Sequence, residues 1–450
     1  MHSPITAFLI QGAHVKRFVV LAGAAGLLTM SVAMRPAQQQ PVSARELLAV
    51  LPDGPTKRQF IIDCTGCHTF HSGIAYPGGK KRTEAEWSAA IAKMLSFAGP
   101  QSSFPVISIH ASADSTARWL AASLPETLPS PKPRTAATEV KEFMLPAPND
   151  LPHDVAILDD GNVLITGMFT SRMYVLDPDD GSFATVDIPV PRANPRAVEV
   201  DRDGKWWMVL GNPQMVAVYD PARLEWKTHE VGMYPHSIAL DSAGNAWYNG
   251  HFTANPELIG RIASGATRRF EVPAHPLKSK QAGGPVPYEL RAARDGGIWG
   301  SELQGNRVFR FDPQSEKFRT WELPTPYAGA RRLDVDARGN VWIPQYGAGN
   351  IALLEPASDR ITEIALPISN TAPYIVRVDN RRNVVWIATG AGDIVFRYDS
   401  ASKRFTNFEL PATGALVRYM AIDERNGDVW LAYGASPGIP SRVARVRSVR

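Results

Sequence analysis

From Glu139 onward the hydrophobic pattern is that of strands. Short apolar runs alternate with polar turns such as Asp241-Ser242-Ala243-Gly244-Asn245, and a tryptophan or its equivalent returns at Leu164, Trp207, Trp247, Trp299, Trp342, Trp386 and Trp430. The intervals are 43, 40, 52, 43, 44 and 44 residues. Each copy opens with an apolar strand, turns, and continues through the tryptophan-bearing strand. It then passes a third strand like Val308-Phe309-Arg310-Phe311 and closes with one that ends at proline, as in FATVDIP, TRRFEVP, RTWELP, TEIALP and TNFELP. Four short strands in a period of this length make one blade of a β-propeller. The repeated tryptophans then read as packing between blades.

The ends of the repeat predict its closure. The seventh copy stops after Arg442-Val443-Ala444-Arg445-Val446 without a fourth strand, while an orphan segment with the fourth-strand pattern, EVKEFMLP at Glu139 to Pro146, precedes the first copy. Pairing the two removes both free edges. The expectation is a mainly β protein, a seven-bladed β-propeller of about 28 strands over residues 139–450.

The pattern before residue 139 is helical. Thr83-Glu84-Ala85-Glu86 is a capping box, followed by apolar positions Trp87, Ala90, Ile91, Met94 and Leu95 at helical spacing. A second helix is expected over Ser112 to Pro125, packed by Trp119 and Leu120. Residues 38–125 then form a small all-α domain, and PETLPSPKP opens a stiff extended linker over 126–138. At the start, Lys16 and Arg17 precede the uncharged run Phe18 to Met34, the pattern of a signal peptide over residues 1–37. That run is shorter than the roughly 20 residues of a spanning helix. The mature chain is expected to be periplasmic or otherwise exported, without a membrane span once the signal is cleaved; an uncleaved signal would tether it.

Charge changes the picture in one respect. The 48 basic and 44 acidic side chains are spread along the chain without a basic stripe, so nucleic acid is not an expected partner.

Candidate chemistry begins at Cys64-Thr65-Gly66-Cys67-His68. C-x-x-C-H is the attachment motif of c-type haem: two thiols three positions apart each form a thioether, and the adjacent imidazole ligates iron. A redox dithiol would want a βαβ context, and zinc would need ligands that a chain with two cysteines lacks. The surrounding segment resembles a monohaem cytochrome c domain. That resemblance implies covalent haem c, electron transfer and a second axial ligand, for which Met94 is the candidate, followed by His110 and then His71.

The propeller, with Pro-His opening an inner strand and W-x-x-E closing the next, resembles the virginiamycin B lyase (streptogramin lyase) family over roughly residues 139–449. Members are seven-bladed propellers that open a cyclic depsipeptide by metal-assisted elimination. Counting back from each turn gives the first residue of the inner strands, His153, Arg196, His236, Tyr288, Arg331, Tyr374 and Arg418, expected to lie beside the third residue after each tryptophan. This pairs Tyr288 with Glu302 and His236 with Gly250. The resemblance implies catalytic roles for His236 and Glu302, the latter beside a metal. It places Tyr288 where the base histidine is expected and Val286 where a second metal glutamate is expected. With a single carboxylate left, Mg²⁺ should be held poorly. The other ring residues, His153, Arg196, Arg331, Tyr374 and Arg418, are ligand-binding candidates, and three arginines suit an anionic small molecule or a carboxylate-bearing partner. Insertions in GHFTANPELIG and between Ala274 and Pro285 should rise over the same face. Two functions follow: an exported cytochrome passing electrons to a redox partner protein or substrate, with the propeller as docking or binding domain, or a lyase-like carbon–oxygen lyase with an accessory haem domain.

Overall fold

A computed structural model describes residues 41–97, 112–251, 256–275, 286–303, 305–434 and 439–448. Its strands form seven four-stranded antiparallel sheets. Six run consecutively, with β2–β5 over 152–187, β6–β9 over 195–230, β10–β13 over 235–271, β14–β17 over 286–322, β18–β21 over 334–365 and β22–β25 over 373–409. The seventh has the order β1-β28-β27-β26, in which β1 (Val140–Met144) pairs with β28 (Arg442–Val446), Val140 opposite Val446. The propeller therefore closes by the N-terminal strand entering the C-terminal blade.

The repeat length has a local cause. In the turns before the tryptophan-bearing strands of the second and third blades an aspartate holds the backbone and then the indole: Asp241 accepts from the amides of Ala243 (3.0 Å) and Asn245 (2.9 Å) and from Trp247 Nε1 (2.9 Å). Asp201 does the same for Trp207 at 2.8 Å. Gly244 sits in this turn at φ +80°, where a side chain would be strained. Second strands such as β3 (Val163–Gly167) are buried on both faces by neighbouring blades, whereas outer strands such as β13 (Ala266–Glu271) are exposed at every position but Phe270.

The segment before the propeller is helical: α1 (Ala44–Ala49), α2 (Pro55–Cys64), α3 (Ser72–Ala75), α4 (Glu84–Leu95) and α5 (Ala113–Ser123). The capping box at α4 is present, with Glu86 accepting from the Thr83 amide at 2.8 Å. The helices pack around Leu47, Phe60, Phe70, Trp87 and Leu120, with Trp119 tilted against Phe60 at 5.5 Å. This core does not end at the helices; it runs on into Tyr346, Tyr374, Ala415 and Val417 of the propeller. Ile62 on α2 fills the space that side chains would need at Gly329 and Gly347, and Arg58 Nε donates to the Pro326 carbonyl at 2.8 Å.

Residues 126–138, expected as a stiff spacer, hold no helix or strand before their last turn but are anchored along their length. Glu46 accepts from the Lys132 amide at 2.6 Å, and Arg134 lies 3.4 Å from both Asp393 and Glu409. The helical segment is fastened onto the propeller face. The signal-peptide region, His110 and most of the two insertions lie outside the described residues.

Closure rests on the apolar side of β1, where Phe143, 6% exposed, lies 5.7 Å from the Trp430 ring. Phe143→Ala should lower unfolding stability by about 3 kcal/mol or more, read from the denaturant midpoint. A loss below about 1 kcal/mol would show that the seam does not depend on this contact.

Candidate functional site

The inner strands deliver one residue each to the channel, and a bulge decides which. Pro235 pairs with Gly250 and Pro287 with Glu302, so the third residue after the tryptophan faces the proline, not the residue after it. The expected pairings of His236 with Gly250 and of Tyr288 with Glu302 are thus displaced by one position. In the third blade His236 and Ser237 together oppose Asn249, whose Oδ1 accepts from both amides at 3.2 and 2.6 Å. Thr166 Oγ1 accepts from the Asp154 amide at 2.9 Å in the first blade, and Ser301 Oγ from the Glu289 amide at 3.3 Å in the fourth. A bulge of this kind re-aims side chains, and here it turns the residue after the proline into the ring.

His153, Arg196, His236, Tyr288, Arg331, Tyr374 and Arg418 are all buried. The His153 and His236 rings meet edge to face at 5.2 Å, His236 lies 4.6 Å from Tyr288, and the Tyr288 and Tyr374 hydroxyls share a short hydrogen bond. Arg331 stacks over Tyr374 at 4.5 Å and donates to the Tyr288 hydroxyl at 3.4 Å. Burial, reinforced by neighbouring guanidinium groups, holds the His153 and His236 imidazoles well below the usual histidine range. Burial also pushes the Tyr288 phenol up, with the Tyr374 hydroxyl beside it adding to the rise. A tyrosine so raised is a poor proton acceptor at neutral pH.

One step deeper the channel is filled with ion pairs. Arg332, fully buried, lies 3.1 Å from Asp154 and 3.0 Å from Glu289; Arg377 binds the other Glu289 oxygen at 3.0 Å. Arg291 is 3.1 Å from both Glu199 and Asp334. With Ser237 donating to Glu289 and Tyr419 to Glu199, this network draws on all seven blades. Burial pushes the Asp154 carboxyl well up, against the pull of Arg332.

Above the ring sits the C-x-x-C-H segment. Thr65, at the end of α2 and buried, shares a hydrogen bond of 2.8 Å with the Tyr346 hydroxyl, which also donates to the Thr65 carbonyl at 2.9 Å. Arg418 Nη2 donates to the Cys67 carbonyl at 2.5 Å. Gly66 admits the Arg331 guanidinium, whose Nη2 would lie 2.7 Å from a Cβ there. The C-x-x-C-H segment therefore lies on the mouth of the channel, over the ring residues.

The donor set itself suits covalent haem. His68 Nδ1 is 3.0 Å from the Thr69 carbonyl, so a proton on Nδ1 is bonded and Nε2 is the nitrogen left to ligate. Cys64 is half-buried against the helical core and Cys67 is exposed. Met94, on α4, is 38% exposed, so its thioether is not consumed by packing. The His71 ring is 6.5 Å from that of His68, and its Nε2 is buried without a hydrogen-bond partner.

Glu302 is engaged differently from the expectation. Arg307, five residues on, grips it at 2.5 and 2.7 Å, and His275 lies 3.9 Å away. Among the described residues no three His, Cys, Asp or Glu side chains are placed to hold a metal ion.

Tyr346 and His251 were not among the sequence candidates. Both stand four positions after their tryptophans, one beyond the position counted for the ring, and His251 packs 4.6 Å from His236. The buried charges follow the same arithmetic, one and three positions after the ring residues.

No protein-family model matches the chain. It is similar to the virginiamycin B lyase of Nocardia farcinica, 26% identical over 227 residues that take in 50% of this chain and 74% of that protein. Among solved structures, virginiamycin B lyase from Staphylococcus aureus superposes with a TM-score of 0.60 at 18% identity, covering 69% of this chain and 99% of that one. Hydrazine synthase of Kuenenia stuttgartiensis gives 0.53 at 15% identity over 68% and 97%. Structural likeness at such identities speaks for fold alone. The fold is that of a virginiamycin B lyase-like seven-bladed propeller.

Two predictions follow from the buried charges. Arg332→Ala strands Asp154 and Glu289 and should cost about 3–5 kcal/mol in denaturant unfolding; a neutral substitution would mean the network is not coupled to stability. The His153, His236 and His251 imidazoles, all held low by burial, should stay neutral through pH 6.5 in imidazole NMR spectra. Unfolded histidines take up protons near that pH, so this contribution to stability is complete above it. It falls as the pH drops further, by about 1.4 kcal/mol per unit for each imidazole, with Asp154 acting in the opposite sense. Titration midpoints near 6.5 would contradict the assignment.

Proposed function

We propose that the chain is an exported c-type haem protein whose attachment loop is docked on the mouth of a lyase-like propeller, the ring beneath serving as the binding surface for a redox partner or small substrate. The observation that supports this reading is the seating of Thr65 and Cys67 on Tyr346 and Arg418. Cys64 and Cys67 would hold the haem, His68 would ligate its iron, and Met94 would take the other axial position. When bound, the group would supply one-electron chemistry. The chain's own contribution is to orient His68 through the Thr69 carbonyl. Its arginines and neutral imidazoles sit within a few residues' contact of the motif.

A second reading, metal-assisted elimination by a carbon–oxygen lyase, has the more direct support of the similarity to virginiamycin B lyase. His236 and Glu302 would carry it. Against it, Glu302 is neutralised by Arg307, Tyr288 is raised away from base function, and Val286 offers no second carboxylate.

Intact mass spectrometry of exported protein should give the polypeptide plus one iron porphyrin, retained on denaturing gels; the polypeptide mass alone would remove the first reading. Met94→Ala should abolish a low-spin His/Met spectrum, and an unchanged spectrum would give the position to His110 or His71. For the second reading, a cyclic depsipeptide with Mg²⁺ should yield a linear product that Glu302→Ala no longer forms. No product from the unmodified protein would leave the likeness as one of fold.

A further inference from the structure

We propose that the channel mouth binds a small free oxyanion, a carboxylate of the size of formate or acetate, between Arg331 and Arg418 beneath the Thr65–Cys67 loop. This names the ligand class of the ring invoked above. It rests on the docking of the loop and holds with or without haem.

The two tiers of the channel treat their arginines differently. In the deeper tier Arg291, Arg332 and Arg377 each lie 3.0–3.1 Å from a carboxylate. In the upper tier Arg331 and Arg418, 4% and 3% exposed, have no carboxylate within ion-pair reach among the described residues. Arg331 has one long hydrogen bond, 3.4 Å to the Tyr288 hydroxyl, and otherwise lies over the Tyr346 ring at 3.9 Å. Arg418 spends Nη2 on the Cys67 carbonyl, and its Nη1 is buried without any partner. A guanidinium carries five N–H donors in a fixed fork that matches the two oxygens of a carboxylate. Two buried cations answered only by a carbonyl, a phenol and aromatic faces are costly unless an anion joins them.

The surroundings suit an anion that comes and goes. Arg196, the third ring arginine, lies 5.1 Å over the Tyr234 ring and adds positive field. Cys67 is exposed, so solvent reaches the rim beside these arginines.

The test uses the exported full-length protein as isolated. In isothermal titration calorimetry at constant ionic strength, formate or acetate should bind at one site. Arg331→Gln and Arg418→Gln should each weaken binding about tenfold or more, while Arg202→Gln, at an exposed position, should not. Thermal midpoints supply a second reading with a reversal of sign. Without the anion each glutamine variant should melt at or above the unmodified protein, because an unanswered charge is gone; with saturating anion the unmodified protein should melt higher. If one variant cannot be purified, the other carries both measurements. No binding by the unmodified protein, equal binding by both variants, or variants that melt lower in anion-free buffer would overturn the proposal. So would a change of haem spectrum in both variants with no free anion bound, which would assign the arginines to the haem carboxylates. Absence of anion binding by the unmodified protein, if it still carries the porphyrin mass, would sink this inference and leave the haem reading standing.

Discussion

Seven inner strands converge on one axis, and every charge they carry there has to be answered within the channel. Water cannot solvate a guanidinium packed among tyrosines and histidines, so each must find a carboxylate, a carbonyl, an aromatic face or a ligand. The deeper tier meets this demand internally, through Arg332 and Arg377 on Glu289 and Arg291 between Glu199 and Asp334. Because these partners come from different blades, the same contacts that neutralise charge also tie the blades together.

At the upper tier the demand is met from outside the propeller. The end of α2 and the loop after it supply Thr65 to Tyr346 and the Cys67 carbonyl to Arg418. The helical segment is thereby placed by the propeller's own electrostatics as well as by the apolar contacts of Ile62 with Gly329 and Gly347. The C-x-x-C-H segment held in this way is not a passenger at the end of a tether, since residues 126–138 are themselves pinned by Arg134 and Glu46. The ring that a lyase would keep open for its substrate lies here under a loop, while Glu302 is occupied by Arg307.

Much of the fold was legible because it is periodic. Tryptophan spacing, the aspartate turns and the orphan EVKEFMLP segment are local signals repeated often enough to fix blade number and closure. The ring residues emerged from the same counting. The bulge did not, because it depends on a side chain of Asn249, Thr166 or Ser301 accepting from the backbone amides opposite it, and the three residues share no single letter. Nor did the docking of the helical segment: Thr65 meets Tyr346 across 281 residues and Cys67 meets Arg418 across 351, with no pattern to link them. Glu302 was read from a motif, whereas its fate was set by an arginine on the facing strand of the same hairpin.

The seating of the Cys64–His68 loop on the ring is measured most directly by hydrogen exchange at its backbone amides. In the intact protein these amides should exchange slowly, and Arg418→Gln together with Tyr346→Phe should speed them without altering exchange in outer strands such as β13. Fast exchange in the unmodified protein, or protection that survives both substitutions, would contradict the placement of the motif over the channel.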